Sequence, residues 1–173
     1  MSREYVAREV FKIEEKYGLL SPEKLAAAMD VIVRYEPMGT FEGCCKGFFI
    51  CVCRVRHITI NSDLQPEVQR VILMHELAHV VLHGDEGAAF HDFAVLDGAD
   101  TREYEANIFA ADYLLSDEEV LRTLGDGLSF FGAAAELGVP PELLDFKLRL
   151  MKRRGCKLRE PPVRAAGNFL KKV

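Results

Sequence analysis

The sequence predicts an α+β domain in which a small, mostly antiparallel sheet packs on one buried helix and further helices follow. Three observations predict this class. Three short runs rich in β-branched residues all precede residue 62. Residues 66–83 place apolar side chains on almost every helical face, which is typical of a buried helix. Beyond residue 100 the chain shows repeated helix-capping signals and no further strand pattern.

Composition is that of a globular domain with a real core. Of the 173 residues, 49% are hydrophobic and 28% are charged, which suits one compact unit. Charges recur through the first twenty residues, unlike a signal peptide, and no segment approaches the roughly 18 apolar residues of a membrane span. Five cysteines, an odd number, argue against a disulfide framework. We therefore expect a cytoplasmic protein with reduced thiols.

The N-terminal region predicts two helices and a strand. Apolar residues recur at helical spacing over residues 3–17, and Gly18 is a common helix stop. Ser21 followed by Pro22 predicts the start of a second, shorter helix. The β-branched run at residues 31–35 then predicts the first strand.

The middle of the chain predicts a hairpin and then the buried helix. Strands are expected over residues 47–53 and 57–61, joined around residues 54–56. Either strand is a candidate sheet edge, to which an extended peptide could add as an extra strand. Residues 66–83 form the buried helix, and residues 85–100 have the Gly, Ala and Asp content of a loop.

The remaining chain predicts a succession of helices. Thr101 is placed to cap a helix that runs to about residue 115, and Ser116 provides the next cap. Three short helices should follow, over residues 117–124, 128–137 and 140–153. The expected organisation is a first domain of residues 1–115, a helical module of residues 116–155 and a basic tail of residues 156–173.

The buried helix carries a metal-binding pattern, His75-Glu76-Leu77-Ala78-His79. Side chains four positions apart share a helical face, so both imidazoles can bind one ion. A zinc ion held by two histidines and a third ligand lowers the pKa of a water from about 15.7 to about 7. Glu76 would take the proton as this water attacks a carbonyl. The pattern therefore predicts a zinc-dependent hydrolase of the H-E-x-x-H type.

The third ligand is expected to be a carboxylate on the next helix, where Glu103 and Glu105 compete. Glu103 is favoured because it shares a helical face with Asn107, which can orient a ligand imidazole. His83 lies on the face of His79 but is expected beside the site rather than on the metal.

Other residues have weaker claims on the chemistry. In the loop, His91 can be interpreted as a donor to the oxyanion or as an ordinary loop residue. Tyr104 and Tyr113 are weaker candidates for the same role. The cysteines lack metal-ligand spacing and are expected to be buried thiols.

Residues 47–115 resemble the ImmA/IrrE family of bacterial and phage metallopeptidases. The resemblance rests on an I-x-I-N strand end, the HELAHxxLH helix and the pattern E-x-x-A-N-x-F-A-x-x-x-L-L. It implies a zincin-like domain with zinc on His75, His79 and Glu103, and Glu76 as the catalytic group. Where the family often has Pro after L-L, this chain has Ser116, a departure that affects a helix end.

The C-terminal region also resembles the family, and residues 131–144 are typical of a helix-turn-helix with Gly138 in the turn. From residue 140 onward there are ten Lys or Arg and three Asp or Glu. Five basic residues lie on or after the last predicted helix: Lys147, Arg149, Lys152, Arg153 and Arg154. Contact with DNA is one interpretation. The alternatives are a helical bundle packed on the peptidase and a surface that docks a repressor.

The resemblance implies site-specific cleavage of a regulatory protein, such as a helix-turn-helix transcriptional repressor. Two alternatives stay open. One is a zinc hydrolase acting on a non-peptide amide. The other is a non-catalytic regulator that binds a repressor or DNA without cutting it. Oligomeric state and activating signal are not encoded in any motif of the chain.

Overall fold

The structure is a computed structural model that describes residues 3–84 and 99–171. In these residues the chain forms, in order, α1 Arg3–Tyr17, α2 Pro22–Ala28, β1 Val31–Glu36, β2 Gly47–Val52, β3 Val55–Asn61, α3 Pro66–His83, α4 Ala99–Leu114, α5 Asp117–Gly125, α6 Phe130–Glu136 and α7 Pro141–Arg153. A short 3₁₀ turn, Phe169–Lys171, ends the described chain. The predicted α+β class is confirmed, and most element ends agree with the sequence within one or two residues.

The three strands form a mixed sheet in the order β1-β3-β2. β2 and β3 pair antiparallel, as a hairpin must, whereas β1 pairs parallel to β3. The sheet is therefore less antiparallel than the sequence suggested, because the chain leaving β1 turns back and places β2 on the far side of β3. Since β3 is the central strand, β2 is the one of the two candidate strands that lies at an edge of the sheet formed by the described residues.

The hairpin turn is tighter than expected. Cys53 and Arg54 form it alone, with φ angles of 51° and 65°, and β3 already begins at Val55. Two central residues with positive φ are the pattern of a type I′ turn, which matches the twist of paired strands. Its usual Asn-Gly signature is missing here, and for this reason a longer loop over residues 54–56 was expected.

The sheet packs directly on α3. One face of the sheet is buried against this helix by alternating apolar side chains. They are at most 1% exposed and comprise Phe49, Ile58 and Ile60. Gly47 permits close approach, because a Cβ atom at this position would lie 2.6 Å from Cγ2 of Ile72. This contact fixes α3 against the sheet and helps to bury the helix from Val71 to Val80.

Helix α3 begins at Pro66, with Gln65 as its N-cap residue. Pro66 at the first helical position needs no hydrogen-bond partner for its nitrogen. Helix α4 begins at Ala99, so Thr101 lies inside the helix rather than capping it. Neither difference changes which residues face the core.

α4 packs against both α3 and α7, so the hydrophobic core continues past residue 115 into the C-terminal helices. Helix α7 is buried along most of its length, with Leu143, Phe146 and Met151 at most 1% exposed. The helix that would read DNA in a helix-turn-helix must instead be exposed. The division into separate segments at residues 115 and 155 stays a prediction.

Four of the five basic residues considered for DNA contact are paired within the chain. Lys147 Nζ lies 2.8 Å from Asp112 Oδ1 and 2.6 Å from Asp117 Oδ1. Arg154 pairs with the same two aspartates, while Arg149 pairs with Asp145 and Lys152 with Glu160. Charge committed to internal pairs is not available to phosphates. Helix burial and pairing both weigh against the DNA interpretation.

Two further expectations concern the cysteine thiols and membrane-spanning helices. All five cysteines are free thiols, but Cys44 alone is buried and Cys53 is exposed, so the expectation of buried thiols is wrong for Cys53. None of the helices in residues 3–84 and 99–171 combines the length and apolar character needed to cross a bilayer.

Candidate metal centre

Two histidines and one glutamate meet where α3 crosses α4. His75 and His79 lie one turn apart on α3, with their Nε2 atoms 3.0 Å from each other. Across the interface, Oε2 of Glu103 lies 3.3 Å from Nε2 of His75, and Oε1 lies 3.4 Å from Nε2 of His79. All three side chains are largely buried, and their ligand atoms lie within 4.8 Å of one another.

This donor set fits a zinc ion. Zinc–nitrogen bonds of about 2.0–2.1 Å in a tetrahedron place neighbouring ligand atoms about 3.3 Å apart. The two Nε2 atoms lie 3.0 Å apart, and the two oxygens of Glu103 lie 3.3 and 3.4 Å from one histidine each, all near this value. Two histidines and a carboxylate leave one tetrahedral position open, which is the arrangement of a catalytic rather than a structural zinc site. Among the described residues this is the group of His, Cys, Asp and Glu with metal-binding geometry.

The charges of the site favour a cation. Burial alone would raise the pKa of Glu103, but hydrogen bonds from His75 and His79 hold that pKa far below its usual range. The carboxylate is therefore ionised and ready to bind. Burial lowers the pKa of His75, yet the nearby Glu103 outweighs it and raises that pKa above the usual value.

Asn107 orients the imidazole of His75. Its Nδ2 donates to the backbone carbonyl of Gly167 at 2.5 Å, so its Oδ1 faces Nδ1 of His75 at 2.9 Å. An amide oxygen only accepts, so Nδ1 of His75 must carry the proton. The lone pair of a neutral His75 then lies on Nε2 and points at Glu103 and His79. Such outer partners fix the tautomer and ring orientation of metal ligands.

His83 and Glu105 orient the imidazole of His79. Oε2 of Glu105 lies 3.2 Å from Nε2 of His83, and Nδ1 of His83 lies 3.1 Å from Nδ1 of His79. A carboxylate accepts the Nε2 proton, which makes Nδ1 of a neutral His83 an acceptor. His79 then donates from Nδ1 and keeps its lone pair on Nε2. In these neutral tautomers, the form that binds a metal, the two Nε2 atoms lie 3.0 Å apart and both present a lone pair to a bound cation.

Glu76 follows His75 on α3 and is 6% exposed. It is not part of the group of converging ligand atoms. A carboxylate beside the ligands but outside their set can take a proton from water without competing for the metal. The geometry is therefore compatible with the base role expected from the sequence.

The structure separates the two glutamates that competed for the third ligand. Glu103 faces both ligand histidines, whereas Glu105 faces His83. Helix geometry explains the separation, since two residues along a helix correspond to a rotation of about 200° around its axis. The expectation that His83 lies beside the site agrees with its contacts.

Three residues were weaker candidates for donating a hydrogen bond to the oxyanion. Tyr113 donates its hydroxyl proton to the carbonyl of Leu20 at 3.1 Å, a contact that fixes the link between α1 and α2. The ring of Tyr104 packs on Phe146, with centroids 5.4 Å apart. His91 lies outside the described residues. The sequence did not predict the contact between Asn107 and the backbone carbonyl of Gly167, because the two residues are 60 positions apart and no motif links them.

Comparison with known proteins gives two findings. The profile of the Peptidase_M78 family, the IrrE N-terminal-like domain, matches residues 26–149, a segment that contains all four candidate site residues. The chain is also similar to the uncharacterized immunity region protein 2 of Bacillus phage phi105. The two are 30% identical over 143 residues, which cover 80% of this chain and 85% of the phage protein.

Proposed function

This chain belongs to the IrrE N-terminal-like peptidase family, and on that basis we propose that it is a zinc-dependent endopeptidase that cleaves a regulatory protein. The resemblance drawn from the motifs of residues 47–115 is confirmed by the family match. Membership supports a metallopeptidase-like role. The choice of zinc, the residues that bind it and the substrate belong to the proposal.

The converging set of His75, His79 and Glu103 is the observation that carries the proposal. When bound, a zinc ion would supply an activated water and polarise the scissile carbonyl. Glu76 would take the proton of the attacking water on its carboxylate and deliver it to the leaving amide nitrogen. Burial of the site excludes bulk water, which strengthens each electrostatic contact.

The proposed substrate is a helix-turn-helix transcriptional repressor. The phage protein similar to this chain takes its name from an immunity region, which supports a role in controlling a mobile element. Residues 131–144 lie in α6, α7 and the turn that joins them. Most basic side chains of this region form ion pairs with acidic residues of the same chain. We therefore propose that the region packs on the peptidase domain.

The test combines metal content with cleavage. We expect about one zinc per chain in the purified protein, and loss of zinc in His75→Ala and Glu103→Ala. Repressors encoded beside the gene are incubated with the protein, and new termini are identified by mass spectrometry. Glu76→Gln should keep its zinc and lose cleavage by at least about 100-fold, the low end for a general base.

Glu67→Gln is the matched control, because Glu67 lies exposed in the first turn of the same helix. It should cleave like the unaltered protein. Full cleavage by Glu76→Gln would contradict the assigned role. Biological activity of a Glu76→Gln protein without any cleavage would favour a binding regulator instead.

A further inference from the structure

We infer that the C-terminal strap, residues 165–170, is a positioning part of the metal centre. Through the backbone carbonyl of Gly167, the strap holds Asn107 in the one orientation that makes His75 a metal ligand. The inference rests on the proposed zinc site and adds to it a segment about 60 residues beyond the last ligand.

The first step is the direction of the Asn107 amide. This side chain is 0% exposed, so water does not satisfy it and each end needs a protein partner. The Gly167 carbonyl is an acceptor only, and at 2.5 Å it selects the NH₂ end of the amide. The oxygen is thereby left for Nδ1 of His75 at 2.9 Å.

The second step is what happens without the carbonyl. The amide can then rotate by about 180° at little cost, because its two ends have nearly the same shape. Its NH₂ end would face Nδ1 of His75 and favour the tautomer with the proton on Nε2. That proton lies on the atom that must bind the metal, so each rotated molecule has a weaker site.

The third step is that the strap has its own anchors on α7. Oδ2 of Asp145, a side chain 1% exposed, accepts from the nitrogen of Ala165 at 2.8 Å, and Arg149 donates to the carbonyl of Ala165 at 2.9 Å. On the other side of Gly167, the ring of Phe169 packs on Phe146 with centroids 5.7 Å apart. Gly167 is therefore held between a polar anchor and an apolar anchor.

The experiment measures the zinc Kd of the full chain by competition with a chelator. Phe169→Ala removes the apolar anchor and alters no residue of α4, and we expect its zinc Kd to rise about 10-fold or more, as for other changes outside the ligand shell. Phe169→Leu keeps more of the apolar volume and should show a smaller rise, and it serves if the alanine variant does not fold. Leu25→Ala is the control, because Leu25 is equally buried on α2, a helix that supplies neither ligands nor strap anchors. Its Kd should change by less than about threefold.

A double-mutant cycle tests the route. Asn107→Leu removes both hydrogen bonds and should raise the Kd by about 10- to 100-fold. If the strap acts through Asn107, adding Phe169→Ala to Asn107→Leu raises the Kd no further. Solvent exchange of the His75 Nδ1 proton in the zinc-loaded protein gives a second measurement. It should be faster in Phe169→Ala and unchanged in Leu25→Ala.

The outcomes are distinct. A zinc Kd of Phe169→Ala and Phe169→Leu equal to that of the unaltered protein overturns the inference and leaves the proposed function standing. So do equal Kd changes in Phe169→Ala and Leu25→Ala, and so does a fully additive cycle. Failure of the unaltered protein to bind zinc overturns the metal site itself and the inference with it.

Discussion

The side-chain amide of Asn61 lies fully buried at the end of β3 and joins four backbone groups. Its Oδ1 accepts from the nitrogens of Met38 and Asp63, and its Nδ2 donates to the carbonyls of Gly39 and Cys45. The loop between β1 and β2 has no regular structure of its own, so this one residue satisfies much of its polar backbone. The Asn that ends the I-x-I-N motif therefore holds the β1–β2 loop in place.

Asn61→Ala should lower the free energy of unfolding by about 3 kcal/mol, because it leaves several buried donors and acceptors without partners. Urea denaturation followed by circular dichroism measures the change. Ser62→Ala, at the exposed neighbouring position, should change the same free energy by less than about 0.5 kcal/mol. A loss in Asn61→Ala as small as that of the control would show that the loop re-forms its contacts with water.

The pair His83 and Glu105 is expected to affect zinc binding without touching the ion. His83→Leu removes the acceptor that keeps the proton of His79 on Nδ1, and the zinc Kd should rise about 10- to 100-fold. Chelator competition measures the Kd. His57→Leu is the control, since His57 alternates with the buried Ile58 on β3 and so points to the opposite face of the sheet. Unchanged zinc affinity in His83→Leu would show that the tautomer of His79 is set elsewhere.

Helix α7 is joined to α4 and α5 by a compact set of charges. Lys147 is 1% exposed and lies between Asp112 and Asp117, and Arg154 contacts the same two carboxylates. A buried ammonium is tolerated only when it is well paired. These contacts fix the C-terminal helix against the helix that carries Glu103, and α7 in turn holds the strap.

The charge set predicts a pH effect on stability. Burial raises the pKa of Asp117, but Lys147 and Arg154 outweigh burial and leave that pKa below its usual value. A depressed pKa in the folded state stabilises the protein above the unfolded pKa of about 3.9, and this contribution is lost as pH falls further. The difference in Tm between the unaltered protein and Asp117→Asn should therefore shrink from pH 6 to about pH 3.

Asp126→Asn gives the comparison, because Asp126 caps the end of α5 without an ion pair in the described contacts. Its difference in Tm from the unaltered protein should vary much less over the same pH range. A Tm difference for Asp117→Asn that is constant with pH would mean that its carboxylate adds no pH-dependent stability.

The helices were largely predictable because their signals are local. Ser21, Ser116 and Ser129 each cap a helix by accepting from a backbone nitrogen three residues later, and Pro66 opens α3. The parallel pairing of β1 with β3 was not predictable, because strand order depends on contacts distant in sequence. The sequence left the packing of α7 on the peptidase open beside DNA contact for a similar reason. Lys147 looks like a surface charge until Asp112, 35 residues away, is placed beside it.

In the candidate site, too, local spacing was predictable from the sequence and contacts between distant residues were not. The spacing of His75 and His79 indicated a shared helical face, and the face shared with Asn107 favoured Glu103 over Glu105. Periodicity does not reveal which side-chain atoms meet across an interface. The contact of Glu105 with His83, and that of Asn107 with the strap, therefore needed three-dimensional positions.

The candidate metal centre lies between α3 and α4, the two longest helices of the described chain. A ligand that binds only the folded state stabilises it in proportion to its occupancy. With free zinc at 100 times its Kd, the free energy of unfolding should rise by about 2.7 kcal/mol. Thermal denaturation with and without zinc measures the gain. The gain should disappear in Glu103→Ala and persist in Glu67→Ala, and equal gains in both variants would indicate binding elsewhere.

The burial of Lys147 also makes it a chemical reporter of unfolding. Amine-reactive reagents modify lysines that contact solvent, such as Lys12, whose side chain is 56% exposed. The Nζ atom of Lys147 is shielded from solvent between two carboxylates, so a reagent cannot reach it in the folded protein. Labelling of Lys147, read by mass spectrometry, would therefore count the molecules in which α7 has left α4. A single peptide would thus report how often the C-terminal helix opens, at protein concentrations too low for spectroscopy.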